Sequence, residues 1–295
     1  MIIGIDLGGT KILTGVADKN GRVLSSVKLD TQARLGPKIV INNIVRSVYL
    51  ALNQAGVPLS KISKIGVGAP GPIIKESIIV SPPNLPGWKK VDLRAILKRK
   101  FGKPVVVEND ANAAALAEHL FGAGKKAGNM MYITISTGIG GGIILNNKLY
   151  RGSYGTAGEI GHMVVIADGP KCKCGNYGCL EAVSSGPAIA KEAGTKDAIL
   201  AAIAARKGNK RAKNAIIRAG KYAGIGIANA HNLLDLDLVV IGGGIANMGG
   251  LIFNPIRMWG KACSMKVTRG RLKIVPARLK RNVGLMGAIA ICLNQ

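Results

Sequence analysis

Acidic and aromatic residues are scarce in this chain, and both shortages narrow what it can be. Asp and Glu number 15 against 41 Lys and Arg, a formal charge of +26, and Phe, Trp and Tyr make up 4% of the 295 residues. So large a positive excess raises nucleic acid or another polyanion as a partner. The basic residues are dispersed, however, as Lys89-Lys90, Lys98-Arg99-Lys100, Lys125-Lys126, Lys210-Arg211 and Lys280-Arg281. They form no basic strip interleaved with aromatic rings of the kind that stacks single-stranded bases. No specific nucleic-acid partner is expected. The charge reads as a solvated surface, with a functional polyanion field as the alternative.

Other absences exclude further classes. The five cysteines are an odd number in a chain without a signal peptide, which speaks against a disulfide framework. The N-terminus runs straight into an apolar strand, Ile2-Ile3-Gly4-Ile5, so a cytoplasmic location is expected. Two uncharged stretches, Asn129 to Asn147 and Leu238 to Ile256, are broken by glycine runs and Asn and read as strand–turn units, not membrane spans. There is no G-x-x-x-x-G-K-[ST] loop, and the glycines from Gly138 to Gly142 precede a strand, which excludes the dinucleotide-binding fingerprint.

Glycine is abundant, with 41 residues, and 48% of the chain is hydrophobic. That mixture suits a compact α/β protein with many tight turns, and the length allows two domains. A pattern occurs twice. The first copy is a strand reaching Asp6, a turn at Gly8-Gly9-Thr10, a returning strand Ile12 to Ala17, an Asn20-Gly21 hairpin turn and a third strand. The second is a strand reaching Ser136, a turn from Thr137 to Gly142, a return at Ile143-Ile144-Leu145 and a polar turn at Asn146-Asn147. Helical periodicity predicts helices over Pro37–Ala55, Leu93–Phe101, Ala111–Phe121, Pro187–Glu192, Lys196–Lys207, Arg211–Leu234 and Gly284–Leu293. A last strand, Leu238 to Ile241, runs into Gly242-Gly243-Gly244.

Glycine at strand ends allows positive φ and lets backbone N–H groups approach an anion closely. Gly8, Gly9, Thr10 and Lys11, with Thr137 and Gly138, are therefore candidate phosphate-binding residues; two ordinary hairpins are the alternative. Asp110 follows the strand Val105-Val106-Val107 at the start of an Ala-rich helix, where a carboxylate meets the positive end of the helix dipole.

The segment Asp6-Leu7-Gly8-Gly9-Thr10-Lys11 resembles the first phosphate motif of the ROK family of repressors and sugar kinases, in the actin and hexokinase superfamily. Four later segments also match in the family's order: Pro82-Pro83-Asn84-Leu85-Pro86-Gly87-Trp88, Glu108 to Ala113, Glu159-Ile160-Gly161-His162, and Cys172-Lys173-Cys174-Gly175-Asn176-Tyr177-Gly178-Cys179-Leu180-Glu181. The wording is most similar to that of the family's glucokinases. The resemblance implies an actin-like, hexokinase-type duplicated two-domain ATPase fold with its active site in the interdomain cleft. The expected small domain is residues 1–108 plus about 284–295, and the large domain residues 109–283.

The resemblance further implies ATP:hexose phosphotransfer, most simply to the 6-hydroxyl of glucose. Asp110 is the implied catalytic base; Asn84, Asn109, Asp110, Glu159, His162 and Glu181 are the implied sugar ligands. ATP is expected on Asp6, Gly8, Gly9, Thr10, Lys11, Thr137, Gly138, Gly243 and Gly244, with Asp6 orienting hydrated Mg²⁺, and a homodimer is implied. His162, Cys172, Cys174 and Cys179 have the ligand types and number of a closed structural zinc site. Alternatives are N-acetylmannosamine, mannose or fructose as substrate, polyphosphate as donor, or a sugar-responsive transcriptional regulator. Such regulators add an N-terminal helix-turn-helix, for which the position of the motif at Asp6 is expected to leave no room. Cys263 and Cys292 are expected to be small core residues.

Overall fold

Ile3, Ile5 and Leu7 point to one face of the first strand, Ile2–Leu7, and Ile2, Gly4 and Asp6 to the other, and each face receives a different helix layer. The computed structural model describes residues 1–74, 77–82 and 84–294; Pro83 of the Pro82–Trp88 motif lies outside the described residues. The strand pairs antiparallel with Lys11–Ala17 and parallel with Lys64–Ala69. Val23–Asp30 flanks the hairpin and Val105–Asn109 pairs parallel with Lys64–Ala69 on the far side. Buried on both faces, the central strand is a near-continuous apolar run.

On the first face lies the Pro37–Ala55 helix, whose Val40, Ile44, Val48, Ala51 and Leu52 recur at three- and four-residue intervals and pack on Ile3, Ile5, Leu7, Ile12 and Val16. On the second lies the Val283–Leu293 helix. It approaches closely because Gly4 and Gly66 carry no side chain. A Cβ on Gly4 would sit 2.8 Å from Ile289 Cγ1, and one on Gly66 would strike the Ala288 carbonyl. Its Gly287 in turn meets Ala113 of the Asp110–Phe121 helix. Covered on both sides, this closing helix is apolar all round. These elements belong to the first of two compact units, Met1–Lys125 with Lys148–Ala157 and Arg281–Gln295.

The second unit, Lys126–Asn147 with Gly158–Lys280, repeats the plan. Met130–Ile135 pairs antiparallel with Ile139–Leu145 and parallel with Leu238–Gly242, which pairs parallel with Lys273–Pro276. The Lys210–Leu234 and Gly250–Cys263 helices pack together, with Pro255 filling the place of a Gly220 side chain.

The structure corrects several sequence expectations. The strand after the second glycine turn begins at Ile139, not Ile143, because Gly140, Gly141 and Gly142 pair in register with Thr134, Ile133 and Tyr132. Gly141 has no room for a side chain: its Cβ would lie 2.6 Å from the Gly158 carbonyl. Leu238–Gly242 is not the last strand; Lys273–Pro276 follows it, and the Gly250–Cys263 helix carries Pro255, the signal that hid it. Cys292 is buried and its thiol is pushed up to about 12 by burial, whereas Cys263 is only half-buried. Among the described residues no helix is long and apolar enough to cross a membrane.

Candidate functional site

The strand–turn–strand Ile2 to Ala17 builds the first group of candidate residues. Neither Gly8 nor Gly9 has a positive φ; what they supply is close approach. A Cβ on Gly9 would lie 2.7 Å from Asn84 Cβ, so the turn rests directly on Asn84. Buried Thr31 holds the turn from behind: its hydroxyl donates to the Gly8 carbonyl at 2.7 Å and its N–H to the Thr10 carbonyl at 3.0 Å. Thr10 and Lys11 are left exposed. Asp6 lies on the strand face turned toward the closing helix, where its carboxyl fills the space a side chain at Gly284 would need. Burial raises the Asp6 pKa, and the charge of Lys11 acts the other way.

Asp110 is the first residue of its helix, and the cap is Asn109. The Asn109 side chain accepts the Ala111 N–H at 2.9 Å and the Asn112 N–H at 3.4 Å. Asp110 Oδ1 accepts the Ala111 N–H at 2.8 Å, and its side chain is exposed. Behind them, buried Glu108 accepts the Asn109 N–H at 3.0 Å and the Asn112 side-chain amide at 2.9 Å, and its other oxygen takes the Arg151 Nε–H at 2.7 Å. The exposed carboxylate thus stands on a junction fixed by a cap and an ion pair between buried Glu108 and exposed Arg151. Thr31 and Arg151 escaped the sequence analysis because their partners lie far along the chain; Glu108 and Asn112 stand in the matched Glu108–Ala113 segment, but no role was assigned to them there.

In the second unit the turn at Ser136–Gly138 and the turn at Gly243–Gly244 border one cavity of about 760 Å³. Gly243 has φ +84° and sits under the Ile135 carbonyl, a position no side chain could occupy. Ala190, Ala198, Ala202 and Ile245 give the cavity an apolar wall, and Lys191 and Asn247 are polar members of its lining. A mostly apolar wall with a few polar groups is the ordinary make-up of a small-molecule site. Glu181, half-buried, accepts the Ile139 N–H at 2.8 Å through Oε2, and the same oxygen lies 2.6 Å from where a Gly138 Cβ would be. One of its oxygens is therefore committed to the second turn.

His162, Cys172, Cys174 and Cys179 come together, with one ligand atom from each lying within 4.8 Å of all the others. Gly175 (φ +104°) and Gly178 (φ +69°) supply the left-handed turns of the cysteine knuckle. Cys174 Sγ to Cys179 Sγ is 3.7 Å and Cys172 Sγ to His162 Nδ1 is 3.8 Å. Ligands about 2.3 Å and 2.0 Å from a tetrahedral zinc would stand about 3.5–3.8 Å apart, so the quartet fits that ion. Burial, then the neighbouring sulfurs, push the Cys179 thiol up to about 12, while the Asn176 N–H lowers Cys174. A bound cation is what would let all three sulfurs hold negative charge together. His162 Nε2 is turned to Glu159, 4.0 Å away.

Asn84, Asn109 and Asp110 thus belong to the first unit, and Glu159, His162 and Glu181 to the second. The ROK family model matches residues 2–295. The chain belongs to the ROK family. It is 36% identical to a glucokinase of Streptomyces coelicolor over 98% of this chain and 96% of that one. It is also 33% identical to the xylose repressor of Bacillus subtilis, over 99% of this chain and 77% of the repressor. The solved structure of a ROK family glucokinase from Streptomyces griseus, in complex with glucose and AMPPNP, superposes with a TM-score of 0.80 at 34% identity and 97% coverage of both chains. The duplicated sheets are those of the actin-like ATPase fold found in ROK hexokinases.

Proposed function

We propose that this ROK protein is an ATP-dependent hexokinase whose substrate is glucose. The observation that carries the reading is Asp110: an exposed carboxylate at a capped helix start, in the same unit as the Thr31-supported Gly8–Lys11 turn. The similarity to glucokinases of two Streptomyces species supports it. In this reading Asp110 accepts the proton of the sugar 6-hydroxyl as that oxygen attacks the γ-phosphorus and the bond to ADP breaks. Lys11 and the backbone N–H groups of its turn stabilise the charge that develops on the phosphoryl oxygens. The 760 Å³ cavity takes the adenosine end. Asp6 is placed to orient hydrated Mg²⁺, an ion that supplies charge neutralisation, and zinc on His162 and the three cysteines supplies a structural cross-link.

The test is a coupled assay of glucose, mannose, fructose and N-acetylmannosamine with ATP and Mg²⁺, repeated with polyphosphate as donor and across a salt series. Glucose with ATP gives the highest kcat/KM, and the rate changes little between low and moderate salt. The scattered surface charges are screened within about 8 Å at physiological ionic strength. Faster turnover with long-chain polyphosphate, collapsing as salt rises, would make the +26 charge part of the mechanism. The xylose repressor similarity favours a second reading, a sugar-responsive regulator; sugar binding without phosphoryl transfer to any hexose would support it.

Glu181 separates sugar from nucleotide effects because its two oxygens have different tasks. Glu181→Gln keeps a carbonyl for the Ile139 N–H but removes the charge offered to sugar hydroxyls. It raises the glucose KM by the equivalent of about 1–3 kcal/mol and leaves the ATP KM nearly unchanged. Glu181→Ala also strips the Ile139 N–H of its partner, and raises both. A Gln variant altered only in ATP dependence would show that Glu181 serves the nucleotide turn alone.

A further inference from the structure

A smaller cavity in the second unit, of about 370 Å³, lies between the Gly250–Cys263 helix and the outer strand Lys273–Pro276. Its lining holds Arg257, Lys261, Arg269 and Lys273, and none of its described lining residues is acidic. Arg257 and Lys261 stand four apart on one helix, so two like charges are neighbours on the same face. Both arginines are held in place. Arg257 Nε–H donates to the Ile274 carbonyl at 3.0 Å and its guanidinium lies over the Phe253 ring, 5.2 Å from the centroid. Arg269 reaches the Ser264 carbonyl at 3.4 Å, while its buried Nε has no hydrogen-bond partner.

Basic side chains on an edge strand have an ordinary use, which is to discourage edge-to-edge pairing. That use calls for exposed lysines. It does not call for a concave site walled by two arginines that are already held in place. Four cations lining one cavity repel one another, and an anion among them relieves that repulsion. Planar guanidinium groups fixed in advance suit phosphate oxygens, which they can grip in pairs.

We propose that this cavity is a binding site for a small oligophosphate, separate from the nucleotide cavity bordered by Thr137 and Gly244. The shared chemistry is a run of phosphate groups, which could be a free compact anion or the backbone of a nucleic acid. The concave, single-pocket arrangement favours the free anion, because a rod-like duplex is gripped by charges spread along a surface.

The experiment is a calorimetric titration of the whole protein with tripolyphosphate, with the nucleotide site saturated by AMPPNP. It is run on the native chain, on Lys261→Gln/Lys273→Gln, whose altered side chains are exposed, and on Arg257→Gln. The expected result is one site per chain, with Kd rising about 10-fold or more in each variant, as the loss of charged hydrogen bonds requires. A duplex DNA and a duplex RNA of about 20 base pairs serve as competitors. No binding of tripolyphosphate, or binding unchanged in all variants, would overturn the site. Displacement of tripolyphosphate by a duplex, lost in the same variants, would overturn the free anion and assign the cavity to nucleic acid. Circular dichroism of each variant shows whether a lost signal reflects the site or lost folding.

Discussion

Asp110→Asn lowers kcat by about 10²–10⁴ while glucose affinity by calorimetry stays within a few-fold of the native value. That span is what a general base contributes to proton transfer. The substitution suits the site because Asn109, not Asp110, caps the helix, and an amide oxygen at position 110 can still accept the Ala111 N–H. Fold and junction are therefore retained, and the change falls on the proton acceptor. Steady-state kinetics with a sugar titration decide the matter: near-native turnover of the Asn variant would remove Asp110 from the chemistry. The same measurement on Thr31→Val gives a contrasting pattern. Removing the hydroxyl that holds the Gly8 carbonyl loosens the phosphate turn, and the loss appears chiefly in ATP dependence.

Purified protein carries about one zinc per chain, and Cys174→Ala loses the metal and melts on the order of 10 °C lower. Cys174 is exposed, so its truncation leaves no cavity in a core, and a fall in Tm reports the lost cross-link itself. The link closes a loop from His162 to Cys179, comparable in length to a 15-residue loop, for which loop-closure entropy alone amounts to about 3 kcal/mol. In a unit of this size each kcal/mol shifts Tm by about 2–4 °C. Sugar affinity falls as well, because Glu159 precedes the first ligand by three residues and Glu181 follows the last by two. Elemental analysis and differential scanning calorimetry check both parts. Stable, active protein without zinc would overturn the assignment, and Cys263→Ala, outside the quartet, should leave metal content unchanged.

The amino-acid sequence by itself determined the features that are local along the chain. The Pro37–Ala55 and Leu93–Phe101 helices stand where their helical periodicity placed them. The repeated strand–turn–strand pattern announced two units of one plan, because an alternation of apolar runs and glycine turns is itself the signature of a hairpin. The three cysteines within eight residues were readable as candidate ligands because ligand type and knuckle spacing are properties of a short segment. Tertiary structure decided what distant residues do to one another. Gly9 is a glycine because Asn84 lies against it, and Gly4 because Ile289 does; neither reason is visible within the local sequence. Glu181 reaches the Ile139 N–H across 42 residues, and Arg151 reaches Glu108 across 43. Glycine runs alone could not say where the turn ended and the strand began at Ile139, since pairing with Met130–Ile135 and the nearness of Gly158 settle that boundary. Local propensity acts within a few residues, whereas the placement of a carboxylate or a glycine turn follows from close packing between segments that are brought together only when the sheets and helices bury their apolar faces.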